Sequence, residues 1–485
     1  MKKIFFIFIL LTKFIYLYAD IQVYKLNFTG LLNEINLYDI NNDGLEEIVV
    51  SELVNDTRFI CLTSFTDNKL ICHFREKVPP NALYYDLGDL DNDGKMELVI
   101  LEPNTYTIYY FNKNLKLEKK QKALKSISYS IRSPESNKIS HISFIDNIFA
   151  DEKNEFILIG IDKISIIDPF TSEIISEQDI RGEGIFTVNP ETGILTNVHY
   201  TMPEISISDF DRDKKKEIIV KFLNTLQVFS ITADKKWKKL ISLPSQKMEI
   251  TLMGGGKNFN VSMPAVTDLN NDGMKDIAIY GTKASFENFN IESWVDIFYI
   301  QKNYKGFEKE TVKIDGVPAN IPLFIDYDQD NHKDILLSYF KLNLGIFLAL
   351  FFGGGKVNIP FYNFPYEKET GAFSNKGEKL FRIPVNMEIG IGFLEGLMYE
   401  YNTETNTPDF YFYDFHKNRN IIEVTKMTYN KFFQTYRTQT LAKLEYKPPK
   451  EFNLIFRSRL GNITKKTQPE LALIATNSLI IFTEE

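Results

Sequence analysis

The stretch "GDLDNDGKMELVI", Gly88 to Ile100, crowds Asp89, Asp91, Asp93 and Glu97 into one short loop and then turns apolar. Two bare carboxylates about 4 Å apart repel by about 1 kcal/mol in water and about 4 at a surface-like dielectric. A hard cation bound by oxygen ligands would offset that cost. The pattern recurs in "DINNDGLEEI", "DFDRDKKKEI", "DLNNDGMKDI" and "DYDQDNHKDI", which begin at Asp39, Asp209, Asp268 and Asp326. In all five copies oxygen-bearing side chains fill positions 1, 3, 5 and 9. They are Asp39, Asn41, Asp43 and Glu47; Asp89, Asp91, Asp93 and Glu97; Asp209, Asp211, Asp213 and Glu217. The last two sets are Asp268, Asn270, Asp272 and Asp276, and Asp326, Asp328, Asp330 and Asp334. Position 6 is Gly44, Gly94 and Gly273 in three copies, where a tight loop asks for positive φ; Asn331 and Lys214 stand there in the others.

Three worn copies complete the series. "NIFADEKNEF" from Asn147 has Phe149 at position 3, "YNTETNTPDF" from Tyr401 keeps only Asp409, and "NITKKTQPEL" from Asn462 has Lys466 at position 5. The eight starts, at 39, 89, 147, 209, 268, 326, 401 and 462, recur about every sixty residues. An EF-hand would need a bidentate Glu at position 12. Val50, Ile100, Val220, Ile279 and Leu337 stand there, so position 9 must supply the closing carboxylate.

Around each loop the chain reads as short strands. In the second unit "NALYYDLGD" enters the loop, "MELVILE" leaves it, and "TYTIYYF" and "LKLEKKQ" follow. Four antiparallel strands per repeat, repeated radially, make an all-β propeller. The last unit stops one strand short, after "LIFRSRLG", "ELALIAT" and "SLIIFTE". The missing strand is expected from "IQVYKLNF", Ile21 to Phe28, which would join the two ends and remove exposed edges.

These loops and their spacing resemble the FG-GAP/VCBS repeat family, which includes the calcium-binding propellers of integrin α-subunits. The resemblance implies a single propeller over residues 20–485 with about five structural Ca²⁺ ions, one between the first two strands of each intact blade. It adds the position-7 carbonyls of Leu45, Lys95, Lys215, Met274 and His332 to the ligands. Eight units are recognisable where the integrin propeller has seven, so eight blades are expected, with seven plus one irregular insert as the alternative.

"MKKIFFIFILLTKFIYLYAD" has a basic start, an apolar core and Ala19 before Asp20, the form of an export signal over residues 1–19. An uncleaved anchor is the alternative, although Lys13 interrupts a run already short for a spanning helix. The expectation is export, with no membrane span in the mature chain and a monomeric state. The net charge of −8 becomes −11 without Lys2, Lys3 and Lys13, which argues against a nucleic-acid partner. Five Ca²⁺ would bring it to −1. Cys61 and Cys72 lie directly across an antiparallel pair if their turn centres on Thr66 and Asp67, as a disulfide or as two buried thiols.

Nothing nominates catalytic residues. "MGGGKN" and "FFGGGKV" lack the Ser or Thr of a phosphate loop, "GIGFLEG" has the wrong spacing for a dinucleotide, and the five His are scattered. A protein- or glycan-binding role is expected, with a secreted carbohydrate-active enzyme such as a polysaccharide lyase as the alternative. The long segments "KALKSISYSIRSPESNKIS", "DIRGEGIFTVNPETGILTNVHYTM" and "PYEKETGAFSNKGEKLFRIPVNM", with the turn "GTKASFENFN", should gather on the face away from the metals. Phe186, Tyr200, Phe286, Phe289, Tyr366 and Phe373 are its candidate contact aromatics.

Overall fold

The computed structural model describes most of residues 21–484; the longest stretches outside the description are 125–137, 342–355 and 387–397. The proposed leader, residues 1–19, also lies outside it. Four-residue sequence signals decide where strands reverse. At Asn55–Asp56 and Asp67–Asn68 both residues take positive φ, the primed geometry that suits a two-residue hairpin. These turns join Glu47–Val54 to Thr57–Thr66 and Thr57–Thr66 to Lys69–Lys77. With Leu31–Tyr38 they form the first four-stranded antiparallel sheet.

Seven further sheets repeat the plan, giving an eight-bladed β-propeller. The second blade is Tyr84–Gly88, Glu97–Leu101, Thr105–Phe111 and Leu117–Leu124, and the third begins at Ile145–Asp146 and ends at Ile174–Asp179. The fourth to seventh start with Glu204–Ser208, Ala265–Thr267, Leu323–Ile325 and Met398–Asn402. The eighth is Phe456–Gly461, Glu470–Ala475 and Ser478–Glu484, completed by Ile21–Asn27 from the other end of the chain. That pairing runs unbroken from Ile21↔Glu484 to Asn27↔Ser478, as expected.

The core lies between blades. Eight clusters of buried apolar side chains each join two neighbouring blades, and one of them packs Leu32, Ile35 and Val50 of the first against Ala472, Ile474 and Leu479 of the eighth. An open row of eight blades would have seven such seams. The eighth seam is the closure.

Two expectations are corrected. Cys61 faces Arg75 and Cys72 faces Thr63, because the turn centres on Asp67–Asn68 and a bulge follows Leu62. Both thiols are free, Cys61 buried and Cys72 half-buried. The segment "PYEKETGAFSNKGEKLFRIPVNM" is no crossing between blades. Glu378–Asn386 pairs with Lys356–Phe364, so residues 365–377 form the third-to-fourth turn of the sixth blade, on the metal-loop face.

Candidate metal centres

Each acidic loop links the first strand of its blade to the second, and its backbone is held in one shared conformation. Position 4 takes positive φ in all five intact copies, at Asn42, Asn92, Arg212, Asn271 and Gln329. Position 6 does the same at Gly44, Gly94, Lys214, Gly273 and Asn331. The sequence pointed to position 6 alone, since Arg212 and Gln329 are not residues that advertise a left-handed backbone.

That double bend turns amide groups toward the carboxylates. In the first loop the amide of Asp43 donates to Asp39 Oδ1 and Asn41 Oδ1, both at 3.0 Å. The Gly44 amide donates to Asp39 Oδ2 at 2.9 Å and the Leu45 amide to Asp43 Oδ1 at 2.9 Å. The position-6 and position-7 bonds recur at 2.8–3.1 Å in the other four intact loops. The position-9 carboxylate is buried and accepts from the position-2 amide: Glu47 from Ile40, Glu97 from Leu90, Glu217 from Phe210, Asp276 from Leu269 and Asp334 from Tyr327. The frame thus ties the side chains at positions 1, 3, 5 and 9 to the loop backbone in the same way in all five copies.

The donor set fits a hard cation. Ligand oxygens of Asp89, Asp91 and Glu97 lie within 4.8 Å of one another, as do those of Asp209, Asp211 and Glu217, and of Asp326, Asp328 and Asp330. The first and fifth loops have Asn41 and Asn270 at position 3, so they gather fewer charges. In the fourth loop Asp209 Oδ1 is buried with no hydrogen-bond partner, a donor atom suited to an oxygen-seeking ion. Burial, aided by the neighbouring Asp side chains, pushes Glu47, Glu217, Asp276 and Asp334 up to about 7 and Glu97 to about 8. Such groups resist ionising unless a positive charge joins them.

Neighbouring basic groups already touch three loops. Lys95 pairs with Asp93 and holds its carboxyl below the usual range, Arg212 reaches Asp268 at 2.8 Å, and Lys368 bonds the Asp330 carbonyl. The Lys95 ammonium, Arg212 and Lys368 were not legible as parts of a site; for Lys95 the expectation concerned its carbonyl alone.

The worn loops keep a buried carboxylate at position 9 but replace the ligands around it. Asp409 pairs with the buried Lys426 ammonium at 3.4 Å and accepts from Asn402 Nδ2 at 3.0 Å. Glu470 accepts the Thr464 hydroxyl and the amides of Ile463 and Thr464. Glu155 has the Ile148 amide at 3.0 Å, and burial with Asp151, Asp168 and Asp146 nearby pushes it up to about 7. It lines a cavity of about 340 Å³ between the second and third loops.

Residues 365–377 also serve these centres. The Tyr366 amide donates to Asp334 Oδ1 at 3.0 Å, its ring lies 5.0 Å from that of His332, and Phe373 is buried against it. Tyr366 and Phe373 therefore pin the sixth loop and are not contacts on the opposite face. Phe286 and Phe289 lie outside the described residues. The opposite face carries two added hairpins, Glu183–Val188 with Leu195–Thr201 and Met248–Leu252 with Gly255–Phe259, both inserted between blades.

No family model and no curated protein matches the chain. Among solved structures it is similar to the exotype rhamnogalacturonan lyase YesX, at 10% identity over 95% of this chain and 76% of that one, with a TM-score of 0.40. It is also similar to BBS1N in its complex with ARL6DN (10%, 84% and 94%, TM-score 0.38) and to the V. cholerae biofilm matrix protein Bap1 (12%, 96% and 87%, TM-score 0.32). Among the described residues no helix is long and apolar enough to cross a membrane.

Proposed function

We propose that this chain is an exported, calcium-stabilised propeller of the FG-GAP/VCBS kind that serves as an interaction module for a protein or a glycan. The observation that carries the metal reading is the common frame of five loops. The same four side-chain positions are held by matching amide bonds, although the residues between them differ widely. Oxygen-only ligands select calcium or magnesium over softer metals, and a flexible multi-carboxylate loop suits calcium better. The ions are assigned a structural role, since the protein's own oxygens at positions 1, 3, 5, 7 and 9 would supply the ligands.

The binding role is assigned to the face opposite the metal loops, where the two inserted hairpins extend the surface beyond what a propeller needs to close. Elemental analysis of the purified protein, expected to give five calcium ions per chain, tests the metal reading. A glycan array, a pull-down and a turnover assay on pectin-like polymers test the role. Retained binding without turnover supports the module; turnover would replace it with a carbohydrate-active enzyme.

A further inference from the structure

The first and eighth blades meet on the metal-loop face through one residue of a worn loop. Asn462, at position 1 of the eighth copy, makes three hydrogen bonds to the first acidic loop. Its carbonyl accepts from the Glu46 amide at 2.7 Å, its amide donates to Glu46 Oε2 at 2.7 Å, and its Nδ2 donates to the Gly44 carbonyl at 2.7 Å. The Glu46 amide belongs to the same peptide group as the Leu45 carbonyl, the expected main-chain ligand of the first site. Asn462 therefore holds the two successive peptides on either side of Leu45, by the Glu46 amide and the Gly44 carbonyl, the latter 418 residues away along the chain. The approach is built for closeness: a Cβ on Gly461 would stand 2.2 Å from Glu46 Oε2 and 2.4 Å from Leu37 Cδ1.

Other blades use position 8 to touch the preceding loop with fewer bonds. Met96 and Lys275 donate their amides at 2.9 Å to the Ile40 and Phe210 carbonyls. Lys216 and Lys333 reach Asp146 and Thr267 through their ammonium groups. Only across the closing seam, among the described residues, does one residue hold the neighbouring metal loop by its carbonyl, its amide and its side chain together.

We propose that Asn462 is a latch: a positioning residue that couples cation binding in the first loop to closure of the ring. This rests on the calcium reading of the loops. A cation drawing on the Leu45 carbonyl polarises the Glu46 amide and strengthens its bond to Asn462. By reciprocity, a closed seam holds the carbonyl ready for the cation. The worn eighth loop has thus exchanged metal binding for a grip on its neighbour's site.

The test uses the full chain, calcium chloride titrated calorimetrically, and hydrogen exchange at the amides of Glu46 and Asn462. Asn462→Ala should weaken one calcium site about fivefold or more while leaving the others unchanged. Calcium should slow exchange at Glu46 and Asn462 in the native chain. Asp43→Ala should abolish that protection, and Asp93→Ala, in the next blade, should keep it. Gly461→Ala, which pushes the latch away without touching a ligand, should reproduce the effect if Asn462→Ala folds poorly. Unchanged affinities in Asn462→Ala and Gly461→Ala, or protection that survives Asp43→Ala, would overturn the latch. A native chain that binds no calcium would remove the metal reading itself, a result plainly different from five sites that ignore Asn462.

Discussion

At the scale of single residues, the three worn loops show what an acidic loop needs when its ligands are gone. Lys426 supplies a permanent positive charge to Asp409 and Thr464 a hydroxyl to Glu470, whereas among the described residues Glu155 receives the Ile148 amide alone. Glu155 should therefore destabilise the protein when ionised. Its folded-state pKa, about 7, lies above the usual 4.5, so the folded protein holds the proton more tightly than the unfolded one. The associated stability is present below about pH 4.5 and is lost as pH rises through about 7. Glu155→Gln, whose carbonyl can still accept from Ile148, should be more stable than the native chain by about 1–3 kcal/mol at pH 8. The advantage should vanish near pH 4.5; denaturant melts in saturating calcium at both pH values check it. A second pair ranks the loops. Asp93→Ala removes a ligand from an intact loop and should cost about 3 kcal/mol when calcium exceeds its dissociation constant about a hundredfold. Lys466→Ala in the eighth loop should cost well under 1 kcal/mol, since a half-exposed polar contact contributes little. The 1-3-5-9 carboxylates were legible because each must be an oxygen donor. Lys426, Thr464 and Arg212 were not, because only the fold brings them to those loops.

At the scale of elements, the second strand of each blade explains why the propeller was readable. Its residues alternate between two seams: Val49 packs toward the second blade, Ile48 and Val50 toward the eighth. Leu98 and Ile100 face the first blade, Val99 and Leu101 the third. A strand buried on both faces must be apolar throughout, and such runs directly after an acidic loop mark the repeat. Turns carry no comparable constraint. The segment 365–377 was misplaced because its polar, glycine-containing sequence suits a crossing as well as a turn; only the pairing of Glu378–Asn386 with Lys356–Phe364 decides. Its buried anchor gives a test. Phe373→Ala should cost about 3–5 kcal/mol through the cavity it leaves. It should also loosen Tyr366 from Asp334, so calorimetry should find a weaker calcium site in the sixth blade. Loss of stability with unchanged calcium affinity would separate the turn from the metal centre.

At the scale of the whole molecule, stability is distributed around a ring whose seams are alike and whose acidic loops all lie on one rim. Removing cations leaves carboxylates crowded in the folded state and much less so in the unfolded chain, so chelation should lower the melting temperature. Calcium should restore it better than magnesium, which gives up its water shell reluctantly. A melting curve unchanged after verified metal removal would refute the calcium reading.

The ring also depends on a strand contributed from the far end of the chain. Deleting Ile21 to Phe28 would remove the partner of Ser478–Glu484 together with the bonds from the Phe28 amide to the Asn477 carbonyl and from Ser478 Oγ to Asn27. The seam between the first and eighth blades would lose Tyr24, Leu26 and Phe28 from its packing. The eighth blade would then end in an open edge of four apolar residues, Leu479 to Phe482, which invites pairing with another chain. The shortened protein should associate, or be cut by protease first within Ser478–Glu484, even with calcium present. Because the lost strand runs antiparallel to Ser478–Glu484, the same eight residues attached after Glu485 through a short flexible linker can turn back as a hairpin and refill the edge. Such a permuted chain should recover the monomer and its protease resistance. A truncated protein that stays monomeric, with unchanged hydrogen exchange in Ser478–Glu484, would show that the eighth seam alone closes the ring.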